Sequence, residues 1–561
     1  MAVGGRTLAE RGPARASIRA GRLDRWSVAA ALLALVLALP VLAVIATAFG
    51  DAQGIWSHLA GTLLPRYVGN SLLLIALVGL GSLVVGTGAA WLVSACRFPG
   101  RGLLEWALVL PLAMPAYIVA FVYSDLLDYA GPVQSWLRAT FGWRAKSQYW
   151  FPQVRSLGGA AVVLTLVLYP YVYLLARSAF LGRSRSAIEA SRVLGRGPWP
   201  TFLRVALPMA RPAIVAGLSL VAMETLADFG TVAFFAVPTF TTGIYDVWLN
   251  MYNATGAAQL ATALLVFVLA ALALERRSRS ERGFVQTMAG RRSPAALPLG
   301  RAQAVLAVLF CALPILFGFV LPAVLLLVMA IGQGSYHGVF VVDMTRSLAL
   351  AGGAAALTVG CALFLACGLR LRGGAILGGA TRLAATGYAV PGSVIAVGVL
   401  LPFAWIDNTI DALARDLLGT GTGLILSGTA FAVLFAYVVR FLAVALGAVE
   451  SGLARIGRHL DDAARTLGEG PGGTLMRVQL PLLKGAVTTG LILVFVDGMK
   501  ELPATLLLRP FGFDTLATRV YELASDQRYE EASLPALAIV AVGILPVVIL
   551  VRAMRPRPTA A

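Results

Sequence analysis

Charged residues are scarce in this chain, and their scarcity excludes a water-soluble protein. Only 13% of the 561 residues are Asp, Glu, Lys or Arg, whereas 59% are hydrophobic. A soluble domain has about 25% charged residues. The apolar residues form long runs, and those at 27–48, 158–178 and 303–330 reach the roughly 20 residues that cross a bilayer as a helix. The sequence therefore predicts an all-α polytopic membrane protein.

Lysine, histidine and cysteine are also rare. None of the three lysines, Lys146, Lys484 and Lys500, lies in the Gly-x-x-x-x-Gly-Lys-Ser/Thr pattern that holds nucleotide phosphates, so we expect no P-loop in this chain. The four cysteines lie in or beside apolar segments and the three histidines are scattered, which predicts neither a disulfide nor a histidine metal site. We expect no catalytic residues and no cofactor.

The basic excess points to the membrane rather than to nucleic acid. The formal net charge is +18, but no basic stretch is interleaved with aromatic residues that would stack on bases. In membrane proteins, Arg and Lys collect in cytoplasmic loops. Residues 1–26 carry six arginines ahead of a full-length apolar run. A signal peptide has an apolar core of only about 7–15 residues, so we predict an uncleaved cytoplasmic tail.

The apolar runs divide the chain into two halves. We expect membrane-spanning helices near 27–48, 70–95, 103–125, 158–178, 209–236, 257–275, 303–330, 347–369, 382–404, 422–446, 483–507 and 534–552. Twelve spans place both termini on the same side, and the arginine-rich start makes that side the cytoplasm. The predicted divisions are a tail (1–26), a first transmembrane domain (27–275), a cytoplasmic linker (276–302), a second transmembrane domain (303–552) and a tail (553–561).

One pattern occurs in a cytoplasmic loop of each half. It has an acidic residue, two small residues, a glycine and a Leu-Pro pair, and equivalent residues are 273 positions apart (462 − 189). The first copy consists of Glu189, Ala190, Ser191, Gly195, Leu207 and Pro208. The second consists of Asp462, Ala463, Ala464, Gly468, Leu480 and Pro481. An acid suits the start of a helix, glycine suits its end, and proline suits the first turn of the next helix.

This pattern resembles the EAA loop in the permease subunits of ATP-binding-cassette (ABC) importers, with Ser191 and Asp462 as the departures from it. The resemblance implies a type I importer permease of two six-helix repeats in the bacterial inner membrane, surrounded by lipid. It also implies two copies of a separate ATPase and a periplasmic substrate-binding protein as partners. It assigns ATPase coupling to Glu189, Ala190, Gly195, Leu207, Pro208, Asp462, Ala463, Ala464, Gly468, Leu480 and Pro481.

Three further stretches resemble the fused permeases of bacterial ferric-iron importers. They are residues 224–230, 500–505 and 509–517. The resemblance implies ferric iron as the transported substrate, and thiamine, polyamine or phosphonate importers of the same class remain alternatives. A secondary transporter with two six-helix halves is a further alternative, but it has no reason to carry paired coupling loops.

Acidic residues inside two predicted spans are candidates for a translocation path. Glu224 and Asp228, like Asp497 and Glu501, are four residues apart, so we expect each pair to share a helix face. Carboxylate oxygens suit a hard cation, so these acids could line its path. The structural alternative is that Lys500 or a neighbouring helix neutralises them. Prolines inside the third and ninth spans predict locally broken helices there.

Overall fold

The computed structural model describes residues 25–52, 54–181, 190–191, 193–280, 297–332 and 337–554. This part of the chain is helical apart from loops and one parallel pairing of two-residue strands, β1 (Cys96–Arg97) and β2 (Leu297–Pro298). The pairing joins the loop after the second span to the start of the second half.

The first half has long helices connected by short ones. The α-helices are α1 (Arg25–Ala48), α2 (Ile55–Gly61), α3 (Leu64–Ala95), α4 (Arg101–Ala107), α5 (Ala116–Leu127), α6 (Pro132–Phe141), α7 (Leu157–Leu181), α8 (Pro198–Thr201), α9 (Leu207–Ala227), α10 (Gly230–Phe234), α11 (Phe240–Tyr245) and α12 (Ala254–Ser280). Shorter 3-10 segments cover Leu110–Ala113 and Lys146–Gln148, and π-helical segments cover Phe202–Ala206 and Asp246–Asn250.

The second half repeats this order. Its α-helices are α13 (Arg301–Ile315), α14 (Leu321–Gly332), α15 (His337–Arg372), α16 (Ala375–Ala384), α17 (Gly392–Leu418), α18 (Ala430–Ala454), α19 (Arg458–Thr466), α20 (Pro471–Gly473), α21 (Leu480–Met499), α22 (Pro503–Leu508), α23 (Leu516–Ser525) and α24 (Tyr529–Met554). A 3-10 segment covers Ala385–Ala389, and π-helical segments cover Leu316–Val320 and Thr474–Gln479.

The number of spans agrees with the sequence analysis. Within the described residues, eleven helices are long and apolar enough to cross a membrane, and a bent pair, Arg101–Ala113 with Ala116–Phe141, makes twelve. The two arms of this pair meet at 90°. The predicted break in the third and ninth spans is confirmed, because α5 and α17 each begin directly after a proline, Pro115 or Pro391.

Two predicted spans were placed too early in the chain. The ninth was expected at 382–404, but α17 runs over Gly392–Leu418, and the tenth was expected at 422–446, but α18 runs over Ala430–Ala454. Hydropathy misled the prediction because α17 continues through polar residues after its apolar half. The start of α18 is fixed by Thr429, whose hydroxyl accepts the N–H of Phe431 at 3.3 Å.

The first helix of each half lies against the other half. In α1, Trp26 stacks on Phe364 with ring centroids 5.0 Å apart and donates to the Phe364 carbonyl at 3.2 Å. In the opposite direction, Tyr123 of α5 donates to the carbonyl of Phe317, in the π-helical segment between α13 and α14, at 2.5 Å. Both hydrophobic cores contain residues of both halves. The two halves therefore form one packed unit.

Candidate translocation cavity and coupling loops

A cavity of about 180 Å³ lies between the halves, where the helices are broken. Its wall includes the proline breaks of the third and ninth spans and the carboxyl ends of α9 and α21. The structure brings together all four acids predicted for the path, since the cavity is lined by Glu224, Asp228, Asp497 and Glu501.

The acids of each pair do not share a helix face, and that prediction was wrong. Helix α9 ends at Ala227 and α21 ends at Met499, so Asp228 and Glu501 lie in the breaks that follow. These breaks were not predicted, because apolar residues resume after each of them and the spans expected at 209–236 and 483–507 continue across.

Each acid in a break holds the short helix that comes next. Asp228 accepts the N–H of Val232 at 3.1 Å and the hydroxyl of Thr231 at 2.9 Å at the start of α10. Glu501 accepts the N–H of Ala504 at 3.1 Å at the start of α22. A carboxylate at a helix N-terminus satisfies otherwise unpaired N–H groups and is favoured by the helix dipole.

Two basic side chains neutralise the acids of the second half. Lys500 Nζ lies 2.9 Å from Asp497 Oδ1, and Arg440 Nε lies 3.3 Å from Glu501 Oε2. For these two acids, the alternative that Lys500 or a neighbouring helix neutralises them therefore holds in this conformation. Sequence analysis missed Arg440, although an arginine in the middle of an apolar span is itself a signal of a buried partner.

The first half supplies acids to the cavity without matching cations. Among the described residues, Glu224 has no ion pair or hydrogen bond, and the positive charges that act on it are those of Arg440 and Lys500 of the second half. Within the same residues, no three His, Cys, Asp or Glu side chains converge in the way a metal site requires. The four acids thus line one cavity but do not form a closed chelating site.

A second cavity, of about 370 Å³ and lined by aromatic side chains, lies next to the first. Phe229 lines both cavities. The Phe229 ring stacks on Tyr245 at 3.8 Å and lies 5.7 Å from Tyr521 of the other half. The Tyr245 hydroxyl donates to the carbonyl of Pro503, which also joins the halves. Burial raises the pKa of the Tyr521 phenol above its ordinary value. Tyr245 and Tyr521 were not predicted as part of the site, because α11 and α23 lie outside the predicted spans.

The repeated loop pattern has the expected backbone. Gly195 and Gly468 adopt φ of 79° and 85°, a left-handed conformation that glycine tolerates best. Leu207 and Leu480 each begin a long helix, with Pro208 or Pro481 in its first turn. Glu189 lies outside the described residues.

In the second loop, the acid and its two alanines lie on α19. Asp462 and Ala463 face solvent, whereas Ala464 is buried. Leu194 and Leu467, again 273 positions apart (467 − 194), are 79% and 84% exposed. Each loop therefore presents a large apolar side chain that the described part of the chain leaves uncovered, a feature that was not predicted from the sequence.

The repeats, the helices that cross between them and the cavity at their interface define a multi-pass membrane permease. The chain matches the family described as binding-protein-dependent transport system inner membrane component twice, over residues 82–275 and 358–559, and it belongs to that family. It is therefore an inner-membrane transport subunit.

Two relatives show how far the similarity extends. The Fe(3+)-transport system permease protein FbpB 2 of Haemophilus influenzae is 28% identical over 92% of this chain and 96% of its own length. The molybdenum transport system permease protein ModB of Escherichia coli is 30% identical, over 38% of this chain and 94% of its own. The first relative thus matches both halves together, and the second matches a single stretch.

Proposed function

We propose that this chain is the fused permease of an ATP-driven importer that carries ferric iron delivered by a periplasmic binding protein. The observation that carries the proposal is the set of four carboxylates, two from each half, in one cavity at the interface. Carboxylate oxygens are hard ligands and suit a small, highly charged cation. The relative that matches nearly the whole chain is named as an Fe(3+) permease, which supports the same cargo.

The cations in the cavity act as internal counter-ions in this proposal. Lys500 and Arg440 balance Asp497 and Glu501 while no cargo is present. A ferric ion entering from the binding protein competes with them for the carboxylates. Because the side chains are tethered, they return when the ion leaves, and Asp497 and Glu501 are paired again.

The two loops are proposed to dock one ATPase subunit each. The exposed Leu194 and Leu467 would fill the apolar part of each interface, and the glycines that follow them would hold the loop in shape. In the same proposal, residues 27–275 and 303–552 are the two transmembrane domains, and both chain termini lie in the cytoplasm.

The test is iron uptake by variants that remove charge and keep shape. Changing Glu224, Asp228, Asp497 and Glu501 to their amides should lower ferric uptake about tenfold or more, since charges in a low-dielectric cavity act strongly on a cation. The ATPase should still copurify with each variant. Glu450→Gln changes an exposed acid of α18 and serves as the control. If loss of the gene leaves iron-limited growth intact but abolishes use of thiamine, a polyamine or a phosphonate, the iron assignment is wrong.

An anion is a second candidate cargo. Arg440 and Lys500 line the cavity, and relatives over part of the chain are named as molybdenum and sulfate permeases. Uptake of labelled molybdate or sulfate separates the two cargoes. An anion path predicts that Arg440→Gln stops transport, whereas a cation path predicts that the four amide substitutions do so.

A further inference from the structure

Helix α15 is fastened to the second coupling loop by a buried ion pair. Near the last turn of α15, Arg370 Nε lies 2.6 Å from Asp461 Oδ2, one residue before the acid of the repeated pattern. Arg370 also donates to the carbonyls of Ile456 at 2.8 Å and Gly457 at 3.3 Å, in the turn that precedes α19. The arginine therefore holds both the side chain and the backbone of this loop.

Asp461 has a second buried partner. Its Oδ1 accepts from Gln479 Nε2 at 3.0 Å, and Gln479 is the residue directly before α21. Asp461 is 4% exposed and Gln479 is fully buried. A buried carboxylate with both an ion pair and a hydrogen bond keeps a fixed geometry, because losing one partner leaves the other charge buried and unpaired. The loop, α15 and α21 are thus held at one point.

The same helix is fastened at its other end, on the opposite side of the membrane. Asp343 is buried and lies 2.8 Å from Arg519 Nε, and Ser347 Oγ accepts the N–H of Leu516 at 2.8 Å. Arg346 donates to the carbonyl of Gly512 at 2.8 Å. From residue 343 to residue 370 a helix extends about 40 Å. Helix α15 therefore links the coupling loop to the segment 509–515.

The first half cannot repeat the inner attachment. Its outer attachment is present, since Asn70 donates to the Pro238 carbonyl at 2.9 Å. At the positions equivalent to Arg370, Asp461 and Gln479, however, the first half has Ser94, Ile188 and Ala206 (370 − 276, 461 − 273, 479 − 273). Ile188 lies outside the described residues, but an isoleucine side chain can neither form an ion pair nor accept this hydrogen bond, and an alanine side chain cannot donate it.

We propose that Arg370, Asp461 and Gln479 are positioning residues that make α15 a rigid connection, so that movement of the second coupling loop reaches segment 509–515 on the opposite face. The two coupling loops are then unequal, and the second half transmits the movement across the membrane. This inference rests on the proposed function in one respect, because it takes the second loop as an ATPase docking site.

The test measures movement directly and needs no cargo. Phe511 is fully exposed at the tip of the segment, so Phe511→Cys accepts a spin label in the full transporter with its ATPase in lipid nanodiscs. We expect a change in label mobility between the nucleotide-free and ATP-bound states. Arg370→Gln and Asp461→Asn should each reduce that change roughly tenfold, and the double variant no further, as expected for one coupled unit. Gln479→Leu, which keeps the ion pair, should reduce it less.

The matched control is an ion pair of the same loop that is exposed. Arg477 lies 2.5 Å from Glu469 with its side chain 76% exposed, and Glu469→Gln should leave the label response unchanged. An unchanged response in both Arg370→Gln and Gln479→Leu would overturn the inference, as would a wild-type label that ignores ATP. Loss of the ATPase subunit from Arg370→Gln would also overturn it, because the pair would then build the docking surface. Iron uptake by the wild-type protein tests the proposed function separately.

Discussion

The two halves share a backbone plan and differ in where their charges lie. Ser71 and Ser347 are equivalent, and each accepts the N–H of a residue 169 positions later, Phe240 or Leu516. The charges do not follow this symmetry. Among the described residues, both cations that line the cavity belong to the second half, while the charged side chains of the first half that line it are both acids.

This difference shows what fusion of the two halves makes possible. A dimer of identical subunits would place Arg440 and Lys500 twice around the cavity, and four cations would then meet four acids. In the fused chain, each half changes independently, so the cavity keeps two acids, Glu224 and Asp228, without an ion-pair partner among the described residues. The repeated backbone thus forms the cavity, and the charges that differ between the halves set which acids in it are neutralised.

The largest expected difference between the halves is in the stability lost when a charge of the cavity is removed, and it concerns Arg440. Arg440→Leu leaves Glu501 buried without its partner, so we expect the free energy of unfolding to fall by about 3–5 kcal/mol. Glu224→Gln breaks no ion pair and should change it far less. Thermal unfolding of the purified permease measures both, and adding Glu501→Gln to Arg440→Leu should restore part of the loss. Equal destabilisation by Glu224→Gln would show that the halves share the cations evenly.

Removing Lys500 should increase binding of a hard trivalent cation. Lys500→Met frees Asp497 beside Glu224, and we expect terbium(III) to bind roughly tenfold or more tightly, since a unit charge about 4 Å away is worth about 4 kcal/mol at an effective dielectric constant of about 20. Terbium luminescence with the purified full chain measures this. Lys484→Met, at an exposed position in the first turns of α21, should have no effect. Tighter binding in both variants would indicate a general charge effect rather than a cavity site.

Substituting the glycine of either loop, Gly195 or Gly468, should have the smallest effect and should affect the two halves most equally. A Cβ at Gly195 or Gly468 meets no atom of the described residues within 4 Å, so the positive φ is what opposes substitution. We expect Gly195→Ala and Gly468→Ala each to destabilise the local turn by about 1–2 kcal/mol and to lower ATP-coupled uptake modestly. The bulky double variant, valine at both positions, should uncouple transport while leaving the chain inserted. ATPase stimulation and uptake in proteoliposomes measure both, and wild-type coupling in the valine variant would contradict the prediction.

Features that repeat or that follow from backbone chemistry could be predicted from the sequence. The breaks at Pro115 and Pro391 follow from the missing N–H of proline, and the left-handed turns at Gly195 and Gly468 follow from their spacing in the pattern. Both kinds of feature depend on nearby residues only. For the same reason, two copies in one chain were enough to locate them.

Features that depend on distant residues could not be predicted in the same way. Arg440 and Glu501 are 61 positions apart (501 − 440), and no local pattern indicates that they meet. The end of α9 at Ala227 was missed because the residues after it are as apolar as those before it. Both features depend on tertiary contacts, because a buried acid in a helix break is stable only where helix ends and cations from distant parts of the chain supply its partners.

Because α1 packs on the second half, it must wait during synthesis for its packing partners to be made. Trp26 and the carbonyl that it contacts are separated by 338 residues. At translation rates of about 5–20 residues per second, α1 is in the membrane for roughly 17–70 s before its partner helix exists. During that time lipid, or another protein of the membrane, must cover the face that later packs on α16 and α17. The contact between α1 and the second half thus cannot form until 364 of the 561 residues have been made.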